Sequence, residues 1–238
     1  MSSTLFISDL HLDPARPGST RALGSFLQQH RQCERLYILG DLFEAWVGDD
    51  EDSPLADEVR AMLRRFSASG PALYIMPGNR DFFLGQDFCE QVGAQLLEDP
   101  TVVDLFGEST LLMHGDSLCT DDRDYQVFRK TARDPLWQSQ VLQRSLEERR
   151  DLAAELRARS REATSNKAAD IMDVTPAAVD KAMREHAVAQ LIHGHTHRPA
   201  KHQVPCGIRW ALGDWTEQGW AIEASRNNIK LYNFYIFQ

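Results

Sequence analysis

The sequence predicts an α/β fold, a two-sheet sandwich with helices packed outside it and a helical insertion in its second half. Three observations carry this. The first hundred residues alternate short apolar runs with amphipathic helical stretches, the pattern of a largely parallel sheet covered by helices. Five apolar runs stop abruptly at polar residues able to bind a ligand. From Gly207 onward the chain instead reads as closely spaced strands with no helix between them.

Taken in order, Thr4-Leu-Phe-Ile-Ser is a buried strand that runs into Asp9-Leu-His11. A helix is expected from about Ser19 to His30, with Leu23, Phe26 and Leu27 on its inner face. Leu36-Tyr-Ile-Leu is the second strand, ended by Gly40-Asp41. A second helix, about Leu55 to Ser69, carries Leu55, Val59, Met62, Leu63 and Phe66 at helical spacing. Ser53-Pro54 starts it and Gly70-Pro71 stops it. Ala72-Leu-Tyr-Ile-Met runs into Pro77-Gly-Asn79-Arg80-Asp81. Short strands are expected near Gln95–Leu97 and Thr101–Leu105, and Gly107 turns the chain into Thr110-Leu-Leu-Met, which ends in His114-Gly-Asp116. Thr175-Pro176, cap then proline, starts a helix to about Glu185. Gln190-Leu-Ile runs into His193-Gly-His195-Thr-His197. The final strands, near Gly207–Leu212, Gly219–Ala224 and Asn228–Tyr235, are expected to form an antiparallel second sheet.

Composition narrows the function. Hydrophobic residues make up 42% of the 238, ample for a core, and a net charge of −9 argues against a nucleic-acid binder, which is normally basic. Cys33, Cys89, Cys119 and Cys206 form no C-x-x-C pair, so reduced thiols in a cytosolic protein suit them better than a disulfide frame. The sequence enters its first strand too early for a signal peptide, and no apolar run reaches 18 residues, so nothing is expected to span a membrane.

A lone aspartate after a glycine ordinarily serves a turn. Here five strand ends repeat the arrangement, and the expectation is that all deliver oxygen or imidazole groups to one edge of one sheet, where open α/β sheets bind ligands. The seven candidates are Asp9, His11, Asp41, Asn79, His114, His195 and His197. They contain no thiolate, which favours Mn²⁺, Fe or Zn²⁺. Seven exceed one coordination sphere, and Asp41, with two oxygens, is the natural bridge between two ions. Two such ions can hold a hydroxide and clamp a phosphoryl oxygen. Asp81 and Asp116 could orient ligating imidazoles. His193, still on its strand, reads as packing or support rather than a ligand.

Between Thr120 and Ala169 the pattern changes to helical sequence rich in Arg and Glu. Residues 129–167 hold 10 Lys/Arg against 6 Asp/Glu, locally +4. Mixed charge usually marks a solvated helical hairpin. One row spaced by four, Leu152, Leu156, Ser160 and Thr164, with Lys167 continuing the face, instead suits a ligand greasy at one end and anionic at the other.

Asp9-x-His11, Gly40-Asp41, Gly78-Asn79, His114 and Gly194-His195-x-His197, in this order, resemble the calcineurin-like metallophosphoesterase superfamily. Longer blocks resemble its UDP-2,3-diacylglucosamine hydrolase family: 39–50 (Leu-Gly-Asp-Leu-Phe-Glu-Ala-Trp-Val-Gly-Asp-Asp), 78–82, 112–122 and 192–199. The likeness covers nearly the whole chain. It implies a four-layer αββα metallophosphoesterase sandwich, with residues 1–119 and 170–238 as the dimetal core and 120–169 as a helical cap for acyl chains. It further implies a Mn-dependent diphosphatase that cleaves the pyrophosphate of UDP-2,3-diacylglucosamine by water attack on the UMP-side phosphorus, giving UMP and 2,3-diacylglucosamine 1-phosphate in lipid A synthesis. Two Mn²⁺ ions would be bound, one by Asp9, His11, Asp41 and His197, the other by Asp41, Asn79, His114 and His195. Asn79, Arg80 and His195 would act in catalysis, and Asn79, Arg80, Asp122, Tyr125, Ser160, Thr164, Lys167 and His195 would contact substrate. The expected setting is a monomer in the cytoplasm, held peripherally at the inner face of the inner membrane, with a lipid-linked nucleotide sugar as partner and no nucleic acid. A dimetal phosphoesterase for another nucleotide or phosphodiester is the alternative; a non-catalytic module on the same fold would be expected to have lost ligands.

Overall fold

The structure is a computed structural model and describes residues 3–165, 171 and 173–237. The chain runs β1 (Thr4–Ile7), α1 (Pro17–Gln29), β2 (Arg35–Leu39), α2 (Pro54–Ala68), β3 (Ala72–Met76), α3 (Gln86–Val92), β4 (Ala94–Leu96), β5 (Thr101–Leu105) and β6 (Glu108–Met113). It continues through α4 (Arg123–Ala132), α5 (Pro135–Leu142), α6 (Leu146–Ser165), α7 (Pro176–Glu185), β7 (Gln190–His193), β8 (Ala200–Val204), β9 (Gly207–Ala211), β10 (Gln218–Ser225) and β11 (Asn228–Tyr235). Proline sets the start of α1, α2, α5 and α7, and in α2 the Ser53 hydroxyl caps the first turn by accepting from Ala56 N at 3.3 Å.

One sheet has the order β11-β10-β1-β2-β3-β4, the other β5-β6-β7-β9-β8. Alternation along the strands divides the core. Leu5, Ile7, Leu36 and Ile38 face α1 and α2, packing with Leu23, Phe26, Val59 and Leu63. Phe6, Tyr37 and Leu39 point the other way, into an apolar layer between the sheets with Leu112, Ile192 and Trp210. On the far side Leu111 and Leu191 pack with Val179 and Met183 of α7. The layers are therefore helix, sheet, sheet, helix, the predicted fold class.

Two expectations need correcting. The last three strands do not make a sheet of their own. β9 joins the second sheet parallel to β7, while β10 extends the first sheet antiparallel to β1 and β11 pairs antiparallel with β10 at its edge. A buried strand can be read locally, but which neighbour it pairs with depends on contacts distant in sequence. The ligand-bearing ends also do not share one sheet. β1, β2 and β3 are parallel in the first, and β6 and β7 are parallel in the second. The two sets of C-terminal ends meet at a common rim of the sandwich. The structure also contains α3 and β8, beyond the expected elements; α3 is only 7 residues long, too short for a clear periodicity.

Candidate active site

The turns beyond the strand ends are tightly constrained. Asp9, His11, Asp41, His195 and His197 all have positive φ, between 48° and 67°, a region non-glycine residues rarely occupy. Such strain persists only where surrounding structure enforces it, and it clusters at functional sites. Two glycines show the enforcement. Gly40 has φ 90°, and a Cβ there would strike the His114 ring. A Cβ on Gly78 would occupy the place of Asp41 Oδ1. The motif glycines thus leave room for ligand side chains arriving from other strands.

The seven candidate ligands gather into two adjoining groups. In one, Asp9, His11 and His197 bring their ligand atoms within 4.8 Å of one another; in the other, Asp41, His114 and His195 do the same. His11 Nε2 is 3.1 Å from His197 Nε2, and Asp9 Oδ1 is 3.4 Å from His197 Nε2. Asn79 Oδ1 joins the second group, 2.9 Å from His114 Nε2 and 2.8 Å from His195 Nδ1. Asp41 lies between the groups. Its Oδ2 is 3.9 Å from His11 Nε2 and its Oδ1 is 3.8 Å from His114 Nε2.

Neighbouring groups hold these side chains in place. His114 Nδ1 donates to Leu39 O at 3.0 Å, which leaves Nε2 facing the site. The Asp9 carboxylate accepts from Ser8 Oγ and from His195 N, the latter at 2.9 Å. His11 Nδ1 lies 3.1 Å from Glu44 Oε2. Asp81 does not orient an imidazole. It accepts from the amides of Asp41, Leu42 and Gly78, at 3.2, 2.7 and 2.7 Å, and so ties the Asp41 turn to the Gly78 turn. Asp116 instead accepts from Tyr125 OH at 2.5 Å and Arg129 Nε at 2.9 Å. His193 is buried, its Nδ1 donating to Gly194 O at 2.8 Å and its Nε2 accepting from Arg209 at 3.0 Å, the supporting role expected of it.

Electrostatics at the site are those of a cation receptor. Burial alone would raise the Asp9 carboxyl, but the His197 bond and the surrounding imidazoles hold it well below the usual carboxylate range. Burial likewise opposes a proton on His114, yet the Asp41, Asp116 and Asp9 carboxylates outweigh it and push the ring up to about 9. His195 falls to about 4 through burial and the neighbouring His114. The buried carboxylates of Asp9 and Asp41 need compensating positive charge, and the imidazoles around them can ligate a cation once unprotonated. The donor set, oxygen and imidazole without thiolate, fits a divalent ion of the Mn²⁺, Fe or Zn²⁺ type at each group.

Beside the second group opens a cavity of about 290 Å³. Asn79, Arg80, Asp122 and Tyr125 line its polar side, and Trp46, Phe82, Phe83, Phe128, Leu152 and Leu156 line its apolar side. Leu152, Leu156 and Ser160 share the inward face of α6, as their spacing suggested, and Arg80 Nη1 donates to Ser160 Oγ at 3.4 Å. Arg80 N also donates to Asp41 Oδ1 at 2.8 Å, so the pocket and the ligand groups share a residue. Asp122 caps α4, accepting from Tyr125 N at 3.1 Å. Lys167 and the side chain of Thr164 lie outside the described residues.

The basic residues of 129–165 are largely engaged with the body of the protein. Arg149 pairs with Asp50, Arg150 with Glu51 and Asp52, Arg157 with Glu44 and Arg129 with Asp116. The sequence reading missed Glu44, Arg149 and Arg157. Arg149 and Arg157 were within reach, since they sit eight residues apart beside the Leu152/Leu156 row; Glu44 carried no local signal.

A calcineurin-like phosphoesterase family model matches residues 2–199. A UDP-2,3-diacylglucosamine hydrolase of Cellvibrio japonicus is 50% identical over 237 residues, covering 98% of this chain and 99% of that protein. One of the same name from Marinobacter nauticus is 52% identical, covering 94% of each. Among solved structures, a hypothetical protein of Pyrococcus horikoshii has a TM-score of 0.54 at 10% identity, over 99% of this chain and 88% of that one. Vps29 of Entamoeba histolytica has a TM-score of 0.50 at 14% identity, over 98% and 92%. These two speak to the fold alone. The family match, the half-identical relatives and the paired ligand groups agree: the chain belongs to the calcineurin-like phosphoesterase family.

Proposed function

We propose that the chain is a UDP-2,3-diacylglucosamine hydrolase that cleaves the pyrophosphate by water attack on the UMP-side phosphorus, releasing UMP and 2,3-diacylglucosamine 1-phosphate for lipid A biosynthesis. The observation that carries this is the junction of two environments. Of two ligand groups suited to divalent ions, the second adjoins a largely apolar pocket through Asn79, and Arg80 and Ser160 line that pocket beside it. A substrate with a diphosphate at one end and hydrocarbon at the other matches that order.

Two Mn²⁺ ions, when bound, supply the Lewis acidity and the nucleophile at neutral pH. Asp9, His11, Asp41 and His197 would hold one; Asp41, Asn79, His114 and His195 would hold the other. The chain's own residues do the rest. Asn79 and His195 would contact the reacting phosphate, and Asp122, Tyr125, Ser160, Thr164 and Lys167 would hold the sugar and its anchored chains. Arg80 meets the leaving group. A sugar 1-phosphate, with a second pKa near 6, departs as an anion and wants charge neutralisation rather than a proton. A guanidinium supplies this and cannot itself act as an acid near neutral pH. Among the described residues Arg80 Nε is buried without a hydrogen-bond partner, which suits an incoming anion.

In this reading residues 120–169 form the acyl-chain cap on a core of 1–119 and 170–238. The protein acts as a monomer, peripherally, at the inner face of the inner membrane. No described helix is long and apolar enough to cross a membrane. With most basic side chains of the cap paired internally, membrane contact falls to α4 and α5. α5 carries no charged residue, and Val127, Leu136 and Leu142 are 68%, 69% and 42% exposed.

A substrate series tests the proposal. With Mn²⁺ present, UMP release from UDP-2,3-diacylglucosamine should exceed that from UDP-GlcNAc by at least ~10²-fold in kcat/KM, since a hydrocarbon-lined pocket contributes only when filled. Comparable rates on both would favour the broader phosphoesterase alternative.

A further inference from the structure

The helix α4 touches more than the pocket. Tyr125 and Gln126, then Arg129 and the C-cap Arg133 at spacings of three to four, bond to the turns that carry candidate ligands. Tyr125 OH and Arg129 Nε donate to the Asp116 carboxylate at 2.5 and 2.9 Å. Gln126 Nε2 donates to Asp116 O at 2.8 Å and Cys119 O at 3.0 Å. These fix the turn just after His114. Arg133, at the helix C-terminus, reaches another turn, and its Nη2 donates to Pro77 O and Gly78 O, both at 3.0 Å. The next residue is Asn79, whose Oδ1 sits between His114 and His195.

The Gly78 peptide is held from two sides. Its N–H donates to the buried Asp81, its carbonyl accepts from Arg133, and Asp41 fills the space where a side chain would stand. No bond from α4 to Asp9, His11 or His197 occurs among the described residues. The grip is one-sided, falling on the Asp41/Asn79/His114/His195 group alone.

We propose that α4 is an integral part of the metal centre and that Arg133 is the positioning residue for Asn79, so that the helical segment builds one metal site rather than only covering the pocket. The inference rests on the two-ion reading above. A residue that orients a ligand from outside typically changes metal affinity 10–100-fold. The loss should fall on one of two sites.

Equilibrium dialysis of the full chain against graded free Mn²⁺, with bound metal read by atomic emission, tests this. Wild type should bind two ions. Arg133→Met should keep one site at wild-type affinity and weaken the other by roughly 10–100-fold, with the melting temperature of the metal-free protein unchanged. Arg133→Lys, which keeps a donor, should fall between. Lys130→Met, on the exposed side of α4, should match wild type. Should Arg133→Met fail to fold, Gln126→Leu removes the bonds to the His114 turn and should show the same one-sided loss. Superimposable isotherms for wild type and the folded variant would overturn the proposal, as would equal weakening of both sites, which means general loosening. A wild type that binds no divalent ion would remove the functional reading itself.

Discussion

Asp9, His11, Asp41, His195 and His197 share a strained backbone and a place at the rim, and their positions were legible because each follows an apolar run that a strand must end. Their division into two groups came from the family resemblance and not from the local pattern, since each group takes side chains from strands of both sheets that lie far apart in the chain. Glu44 and Arg133 were invisible for the same reason, their partners lying far away in sequence. Two predictions belong at this scale. Replacing Arg80 with Ala should lower kcat on the diphosphate substrate by roughly 10²–10³-fold, the cost of removing a donor from developing charge, while Lys should recover much of it. Equal losses for Ala and Lys would show that geometry rather than charge is at stake. The second concerns Asp99, buried beside Arg129 and Asp116. Burial and the Asp116 carboxylate push its carboxyl up to about 6. It therefore binds a proton more tightly folded than unfolded, and this stabilisation is complete below about 3.9 and lost as pH rises through about 6. Asp99→Asn, which resembles the protonated acid, should raise the melting temperature by a few degrees at pH 8, on the order of 2 kcal/mol, and leave it nearly unchanged at pH 4. The same shift at both values would contradict the assignment.

α6 shows how much an element's sequence can tell. Its row of Leu152, Leu156 and Ser160 faces the pocket as the spacing of four required, while Arg149 and Arg157 on the adjoining row clamp it to Asp50 and Glu44. The charges that first suggested a solvated hairpin are therefore its anchors. If the apolar wall holds acyl chains, Leu156→Asp should raise KM for the diacylated substrate at least ~10-fold, because an unpaired carboxylate there is costly to bury. Cleavage of bis-p-nitrophenyl phosphate should change little; parallel losses on both would indicate misfolding instead. α5 makes a separate prediction. Leu136→Asp with Leu142→Asp should cut binding to anionic phospholipid vesicles at least ~10-fold, given about 1.5–3 kcal/mol for each apolar side chain buried. Sedimentation with vesicles at low salt measures this, and unchanged binding would place the contact elsewhere.

For the whole molecule, two sheets each end their parallel strands at a shared rim, and the helices α4 to α6 stand over that rim. Neither sheet alone carries a complete ligand set: Asp9, His11, Asp41 and Asn79 come from the first, His114, His195 and His197 from the second. The apolar layer between the sheets, with Phe6, Tyr37 and Leu112, is what brings the two halves into register. In the proposed reading the diphosphate enters with its lipid end in the pocket and its nucleotide end outward, which commits the reaction to one phosphorus. Hydrolysis of UDP-2,3-diacylglucosamine in ¹⁸O-labelled water, with both products analysed by mass spectrometry, measures which phosphorus is attacked. The label should appear in UMP. Label in the sugar 1-phosphate, or no UMP at all, would contradict the account.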